Sequence, residues 1–126
     1  MSGAASQEPP KFDLEGRTAR YAEEVIRFAR QIPRDVVTLP LIKQLVRSGT
    51  SIGANYCEAD DACSRKEFRY RIQVCRKEAR ETKYWLRLIA AASPQCKDVS
   101  RALWLEAKEL HLIFAAIASK SRNNDH

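Results

Sequence analysis

Few side chains in this sequence have the types and spacings that catalysis or metal binding requires. His111 lies in an apolar-periodic stretch, with no carboxylate pattern nearby that would suggest a catalytic triad. Glu78 and Glu81 have the three-residue spacing of di-iron bundles, but the Glu-x-x-His motifs of such sites are missing. The segment that contains Gly49 and Gly53 has no Lys-Ser/Thr pair of the kind found in phosphate-binding loops. We expect these two glycines to let another helix approach closely. The sequence therefore predicts a structural histidine and no enzyme activity, cofactor or metal.

The cysteines indicate a reducing compartment. Cys57, Cys63, Cys75 and Cys96 include no CxxC pair of the kind common in zinc sites. Disulfide frameworks are typical of secreted, core-poor chains, whereas 44% of these residues are hydrophobic. Residues 1–13 have neither the basic nor the apolar segment of a signal peptide, and the longest apolar run, 112–118, is too short for a membrane span. We expect free thiols and a cytoplasmic protein that does not contact a membrane.

The basic residues are concentrated on one side of a predicted helix. Residues 65–87 contain nine basic and three acidic side chains, so their net charge of +6 equals that of the whole chain. At about 100° per residue, six of the basic side chains fall within an arc of roughly 60°. We name these six the basic ridge; they are Arg65, Arg69, Arg76, Arg80, Lys83 and Arg87, with Lys66 and Lys77 beside them.

The basic ridge has three interpretations. Aligned Lys and Arg side chains neutralise phosphates, so the ridge predicts binding to RNA or DNA. A solvated face is the alternative, although such faces commonly mix their charges in i,i+4 pairs. In the third interpretation, acids of a neighbouring helix or subunit pair with the ridge, with Glu58, Asp60 and Asp61 as candidates.

The same segment carries a second apolar stripe, separate from its main hydrophobic seam. One bundle contact buries one stripe of a helix, so a second stripe needs another partner. Tyr and Trp are typical anchors of protein interfaces. The stripe therefore predicts self-association, unless the core is wide enough to take these side chains; its residues are Tyr70, Val74, Trp85 and Leu88.

Apolar side chains at spacings of three and four predict the four helices that position these residues. The expected helices extend from residue 14 to Pro33, from Thr38 to about 61, from a Ser64–Glu67 capping box to 93, and from about 98 to 121. The expected core positions of the first helix are Tyr21, Val25, Phe28 and Ile32, and those of the second are Leu41 and Leu45 (or Ile42 and Val46), Ile52 and Tyr56. Those of the third helix are Phe68, Ile72, Cys75, Ala79, Thr82, Leu86 and Ile89. Those of the fourth helix are Val99, Leu103, Leu110, Ile113, Phe114 and Ile117. Short connections then predict an all-α, up-down-up-down antiparallel four-helix bundle over 14–121, with a flexible N-terminal tail (1–13) and a frayed C-terminal tail (122–126).

Two segments match the motifs of a known family. Residues 44–55, QLVRSGTSIGAN, are similar to Q-L-x-R-S-x-x-S-I-x-A-N, and residues 77–86, KEARETKYWL, are similar to K-E-A-x-E-T-x-Y-W-L. Residues 64–68 continue the match, as does Glu58-Ala59, where many members have Glu-Gly. By these motifs the chain resembles the bacterial four-helix-bundle family of proteins encoded in intervening sequences of 23S ribosomal RNA genes.

The resemblance implies a homo-oligomer, because members of the family assemble as ring-like pentamers, and it implies no enzymatic activity. Related bundles are accessory subunits of diversity-generating reverse transcriptases, in which a basic surface engages nucleic acid. The motif also marks a polar face on the second helix. This face predicts either an inter-helix hydrogen-bond network, with Glu58 bound to a third-helix arginine, or a ligand site; its residues are Arg47, Ser48, Ser51, Asn55 and Glu58.

Together these features predict a non-enzymatic homo-oligomer that binds RNA or DNA through the basic ridge and takes no small-molecule substrate. The alternative is a protein-interaction scaffold or accessory subunit that makes no nucleic-acid contact and uses the ridge internally or for solubility.

Overall fold

The computed structural model describes residues 13–123, and these residues form four α-helices and no strand. The helices are α1 (Leu14–Gln31), α2 (Thr38–Asp60), α3 (Arg65–Ala92) and α4 (Lys97–Asn123), and a short 3₁₀ helix (Pro94–Cys96) precedes α4. The all-α prediction is confirmed, with helix ends close to those expected. Of the tails predicted over 1–13 and 122–126, residues 1–12 and 124–126 lie outside the described residues, whereas residues 122 and 123 belong to α4 and not to a frayed tail.

Local hydrogen bonds explain where the helices begin. Ser64 Oγ accepts a hydrogen bond from Glu67 N at 3.1 Å, as the capping motif predicts. Asp13 Oδ1 accepts from Gly16 N at 3.1 Å, so Asp13 caps α1 rather than belonging to the predicted tail. Asp35 accepts two backbone N–H bonds at the start of α2, and these bonds hold the pKa of its carboxyl below the usual value.

Consecutive helices are antiparallel and pack around one core. In the α2–α3 contact, Ser48 lies against Thr82, and in the α3–α4 contact Leu86 lies against Ser100. Each helix packs on the next one in the chain, and α1 also meets α4 at a few positions. This packing is that of a four-helix bundle. The largest fully buried hydrophobic side chains are Tyr21, Val25, Ile32, Leu45, Ile52, Ile72, Leu86, Ile89, Leu110 and Phe114.

The two glycines of α2 lie at the contact with α1. A Cβ atom on Gly49 would lie 3.0 Å from both γ-carbons of Val25, and one on Gly53 would lie 3.0 Å from Thr18 Oγ1. These distances are shorter than ordinary van der Waals contact, so a side chain at either position would force neighbouring atoms to move. The small residues therefore serve close helix packing, as expected.

One predicted core position in α4 is wrong. Val99 was expected to face inward, but 48% of its surface is exposed. It lies on the same side of α4 as Glu106, whose carboxylate contacts Arg17 of α1 at 2.7 Å. Because α1 meets α4 at only a few positions, this side of α4 is incompletely covered. For the same reason Ile113 and Ile117 are only partly buried.

Candidate nucleic-acid interface

The basic ridge lies beside the seam between α3 and α4, on the outer surface of the bundle. Arg76 and Arg80 line a cleft together with His111 of α4, and Lys83 lies over the ring of Trp104. Within residues 13–123, four ridge residues have no carboxylate within ion-pair distance; they are Arg76, Arg80, Lys83 and Arg87.

A strip of α4 that the sequence analysis missed adjoins the ridge. Its members recur at spacings of four, three, four and three, so they share one face of the helix. That periodicity, with no acid among the members, is a signal that could have found the strip. The residues of this α4 strip are Lys97, Arg101, Trp104, Lys108 and His111.

Trp104 lies between cations of both helices. The Nζ atoms of Lys83 and Lys108 are 5.6 Å and 5.9 Å from the centroid of its ring, which is the geometry of cation–π contacts. The indole is half-buried and packs against the core. Beside it is a cleft of about 360 Å³. The cleft is lined, besides Trp104, by Leu86, Arg87, Ala90, Lys97, Ser100 and Arg101.

Two further clefts follow along the same seam. The middle one, of about 300 Å³, is lined by Gln73, Arg76, Lys77, Arg80 and His111. The lower one, of about 280 Å³, is lined by Lys66, Arg69, Tyr70, Gln73, Ala118 and Arg122. None of the described residues that line the three clefts is Asp or Glu. We name the three clefts together the basic groove.

Outside the ridge, Arg17, Arg47 and Arg71 pair with acidic side chains of a neighbouring helix. Between α1 and α4, Arg17 donates two hydrogen bonds to Glu106, at 2.7 Å and 2.9 Å. Glu58, a candidate partner for the ridge, instead approaches Arg71 outside the ridge, with 3.8 Å between Arg71 Nη2 and Glu58 Oε1. Within residues 13–123, the candidate partners Glu58, Asp60 and Asp61 therefore form no ion pair with the ridge residues Arg76, Arg80, Lys83 and Arg87.

The second apolar stripe divides between the core and the surface. Trp85 is half-buried and packs against the core, so a wide core accounts for this residue. Tyr70 is 62% exposed, and Val74 and Leu88 are half-buried. Tyr84, which is not part of the predicted stripe, is exposed, and its ring lies edge-on to that of Trp85 with 5.1 Å between centroids.

The polar face of α2 contacts α3. Arg47 Nη1 donates to Glu78 Oε1 at 3.1 Å, and Arg47 Nη2 contacts Glu81. The hydroxyl groups of Ser48 and Thr82 are hydrogen-bonded at 3.0 Å, and both side chains are buried. These contacts form an inter-helix network, the first of the two interpretations that the sequence allowed.

The C-terminal half of α2 extends this network. Asn55 Oδ1 accepts a hydrogen bond from Arg71 Nη1 at 3.0 Å, and Glu58 approaches the same guanidinium. Ser51 differs, because its Oγ donates to the backbone oxygen of Arg47 within α2, at 2.5 Å. The polar face of α2 thus joins α2 to α3.

The other reactive side chains have structural environments. His111 Nδ1 lies 3.2 Å from the backbone oxygen of Arg76 and so connects α4 to α3. All four thiols are free; Cys57 and Cys63 are exposed, whereas Cys75 and Cys96 are buried. Burial raises the pKa of Cys75 to about 12. Within residues 13–123, no three His, Cys, Asp or Glu side chains cluster as a metal site requires, and no helix is long and apolar enough to span a membrane.

Comparison with known proteins identifies the family. The family model of the 23S rRNA-intervening sequence protein matches residues 12–116. The chain belongs to this family. A crystal structure from Bacteroides thetaiotaomicron VPI-5482, described as a protein with unknown function from the S23 ribosomal protein family, is 28% identical in sequence to this chain. The two superpose with a TM-score of 0.76 over 83% of this chain and 94% of that chain. A comparison with curated proteins found no match.

In this chain the quoted motifs lie mainly at the α2–α3 contact, although Lys77 of the second motif lines the middle cleft of the basic groove. The motif residues Glu78, Glu81 and Thr82 all belong to the network described above. Ridge residues Arg80 and Lys83 fall at the two unspecified positions of the same motif. The family resemblance therefore accounts for the fold, whereas the basic groove must be interpreted from the residues of this chain.

Proposed function

We propose that this protein binds RNA or DNA in the basic groove between α3 and α4. One observation carries the proposal: cations from two helices line one seam, with no acid among the described lining residues and with a half-buried tryptophan between them. Cations aligned in this way neutralise phosphates, and an aromatic ring among them can stack on bases.

The length of the ridge supports an extended polyanion as the ligand. From Arg65 to Arg87, α3 rises about 33 Å at 1.5 Å per residue. That length is close to the rise of about ten nucleotides of a duplex strand at 3.4 Å each. A small anion would contact one cleft, whereas a nucleic-acid backbone would contact all three.

Charge reversal on the ridge tests this function. We expect Arg76→Glu/Arg80→Glu to abolish retention of RNA and DNA oligonucleotides on a filter at low salt. The matched control is Arg30→Glu/Arg34→Glu, which changes the charge equally at exposed positions outside the groove. Loss of binding in the ridge variant alone supports the proposal. Equal binding by both variants, or no binding by the wild type, favours the alternative of a protein scaffold without nucleic-acid contact.

We also propose that the protein is a cytoplasmic homo-oligomer, a ring-like pentamer by its family resemblance. Exposed Tyr70, which borders the lower cleft of the basic groove, and half-buried Val74 support self-association through the side of α3 next to that cleft. Light scattering should give a discrete mass above that of the monomer, and Tyr70→Ala/Val74→Ser should lower it. Leu112→Ala, at an exposed position of α4, is the control. A wild-type monomer would contradict self-association.

A further inference from the structure

We propose that the cleft beside Trp104 binds one unstacked nucleobase and its adjoining phosphate, so that the protein prefers single-stranded to duplex nucleic acid. This inference rests on the proposed function and names its ligand class. The volume of the cleft, about 360 Å³, lies within the range of roughly 300–1,000 Å³ that is typical of small-ligand clefts.

The cleft has an apolar surface suited to a base. Trp104 is held by packing against the core, and Leu86 and Ala90 line the same cleft. An aromatic side chain fixed in this way offers a stacking surface to any base that displaces the ammonium groups of Lys83 and Lys108 from its ring. Bases in a duplex are stacked and paired with each other, whereas a base in a single strand is free to enter such a cleft.

The rim of the cleft has the charge that a phosphate needs. Arg87 of α3 and Lys97 and Arg101 of α4 line it, and all three are exposed. No described lining residue is acidic. An apolar surface with cations on both sides is therefore complementary to a nucleotide, which combines a flat base with an anionic phosphate.

Apart from its cations, the cleft has a single side-chain hydroxyl that could read a base edge. Its neutral hydroxyl, that of Ser100, donates its hydrogen bond to the backbone oxygen of Leu86 at 2.7 Å. Sequence recognition requires hydrogen bonds to base edges, whereas stacking tolerates any base. We therefore expect single-strand binding with weak sequence preference.

Tryptophan fluorescence isolates the cleft. The chain has two tryptophans, Trp85 and Trp104, so Trp85→Phe leaves Trp104 as the reporter. In this variant, with its fold verified by circular dichroism, we expect oligouridylate or oligodeoxythymidylate of roughly ten nucleotides to quench the emission, because a stacked base contacts the indole. A duplex of equal length should bind by its phosphates and leave the emission unchanged. Quenching by the duplex to the same extent would overturn the proposal.

Substitution of Trp104 tests the preference in the otherwise unchanged protein. Trp104→Leu keeps an apolar side chain against the core and should weaken single-strand binding about tenfold or more, because stacking is lost. Duplex affinity should stay within about twofold, since phosphate contacts remain. Trp104→Phe should restore part of the single-strand affinity. Trp85→Leu, the same change on the other side of α3, should have no effect on either ligand.

The outcomes separate this inference from the proposed function. If neither single strand nor duplex binds the wild type, the proposed function fails. If both bind equally well and Trp104→Leu changes nothing, the function stands and the nucleobase cleft is refuted. If uridine monophosphate binds as tightly as the oligomer, the cleft holds a free nucleotide, and the assignment to single strands is overturned.

Discussion

Lys83 of α3 and Trp104 of α4 form a cation–π contact across the helix seam, with 5.6 Å between Nζ and the ring centroid. This contact connects the ridge to the α4 strip. The charge pattern of the sequence predicts the ridge but does not predict the α4 strip. At a solvent-accessible site such a contact contributes about 0.5–1 kcal/mol. The shape of the groove is therefore set by the packing of the bundle, and the loss of any one of its cations should leave that shape unchanged.

Replacement of Lys83 should affect binding more than stability. We expect Lys83→Gln to lower the free energy of unfolding in urea by less than about 1 kcal/mol, because one cation–π contact is lost. The same variant should bind oligonucleotides more weakly than the wild type. Lys43→Gln, at an exposed position of α2, should change neither quantity. A Lys83 variant that fails to fold would show that the lysine is structural.

Loss of Arg47 should destabilise the α2–α3 contact. Glu78 is only 8% exposed, and Arg47→Met leaves its carboxylate without the nearby guanidinium. Breaking a fully buried pair costs about 3–5 kcal/mol. Because the Arg47 side chain is 44% exposed, solvent screening reduces the expected loss in unfolding free energy to about 1–2 kcal/mol. Arg47→Met/Glu78→Gln, which removes both charges, should recover part of it in urea denaturation.

Adding a methyl group at Gly49 should be unfavourable despite the higher helix propensity of alanine. Propensity favours Gly49→Ala by about 1 kcal/mol, whereas overpacking costs about 1–3 kcal/mol. We expect a net loss of stability, because the new Cβ would lie 3.0 Å from two carbons of Val25. A double-mutant cycle with Val25→Ala should show a favourable coupling energy. Coupling near zero would mean that α1 and α2 move apart without cost.

The buried thiol of Cys75 should make stability fall at alkaline pH. Its pKa is about 12 in the folded protein and about 8.5 in an unfolded chain, so above pH 9 the unfolded state binds fewer protons. Stability that is fully present below about pH 8.5 is therefore lost progressively as the pH rises toward 12. Burial also raises the pKa of Tyr21, which adds a loss of the same sign at higher pH.

Urea unfolding at several pH values checks this prediction. Between about pH 8 and pH 10, Cys75→Ala should lose stability less steeply than the wild type, by about 1–2 kcal/mol over the interval. The comparison uses the slope because the cavity left by the substitution costs the same at every pH. Cys57→Ala, which removes an exposed thiol, should keep the wild-type slope. Parallel slopes for Cys75→Ala and the wild type would contradict the account.

Local pattern was sufficient to predict the helices and the basic ridge, because periodicity and charge are properties of one segment. The α4 strip was missed because its cations alternate with Trp104 and His111, and because packing decides which side of α4 adjoins the ridge. Trp85 was assigned to an interface since it lies off the main seam, yet it packs against the core, where Glu81 Oε1 accepts its Nε1 hydrogen bond at 3.2 Å. Each miss depends on how a neighbouring helix covers a face, which sequence periodicity does not encode.

Salt dependence of binding tests the central claim most directly. For a single-stranded oligonucleotide, the logarithm of the binding constant should fall linearly with the logarithm of salt concentration, by about 0.7 for each phosphate contact. Contacts from Arg76, Arg80, Lys83 and Arg87 predict a slope of about −3 or steeper. Arg76→Gln/Arg80→Gln should make the slope shallower by about 1.4, two contacts' worth. A slope near zero, or equal slopes for the variant and the wild type, would contradict nucleic-acid binding in the basic groove.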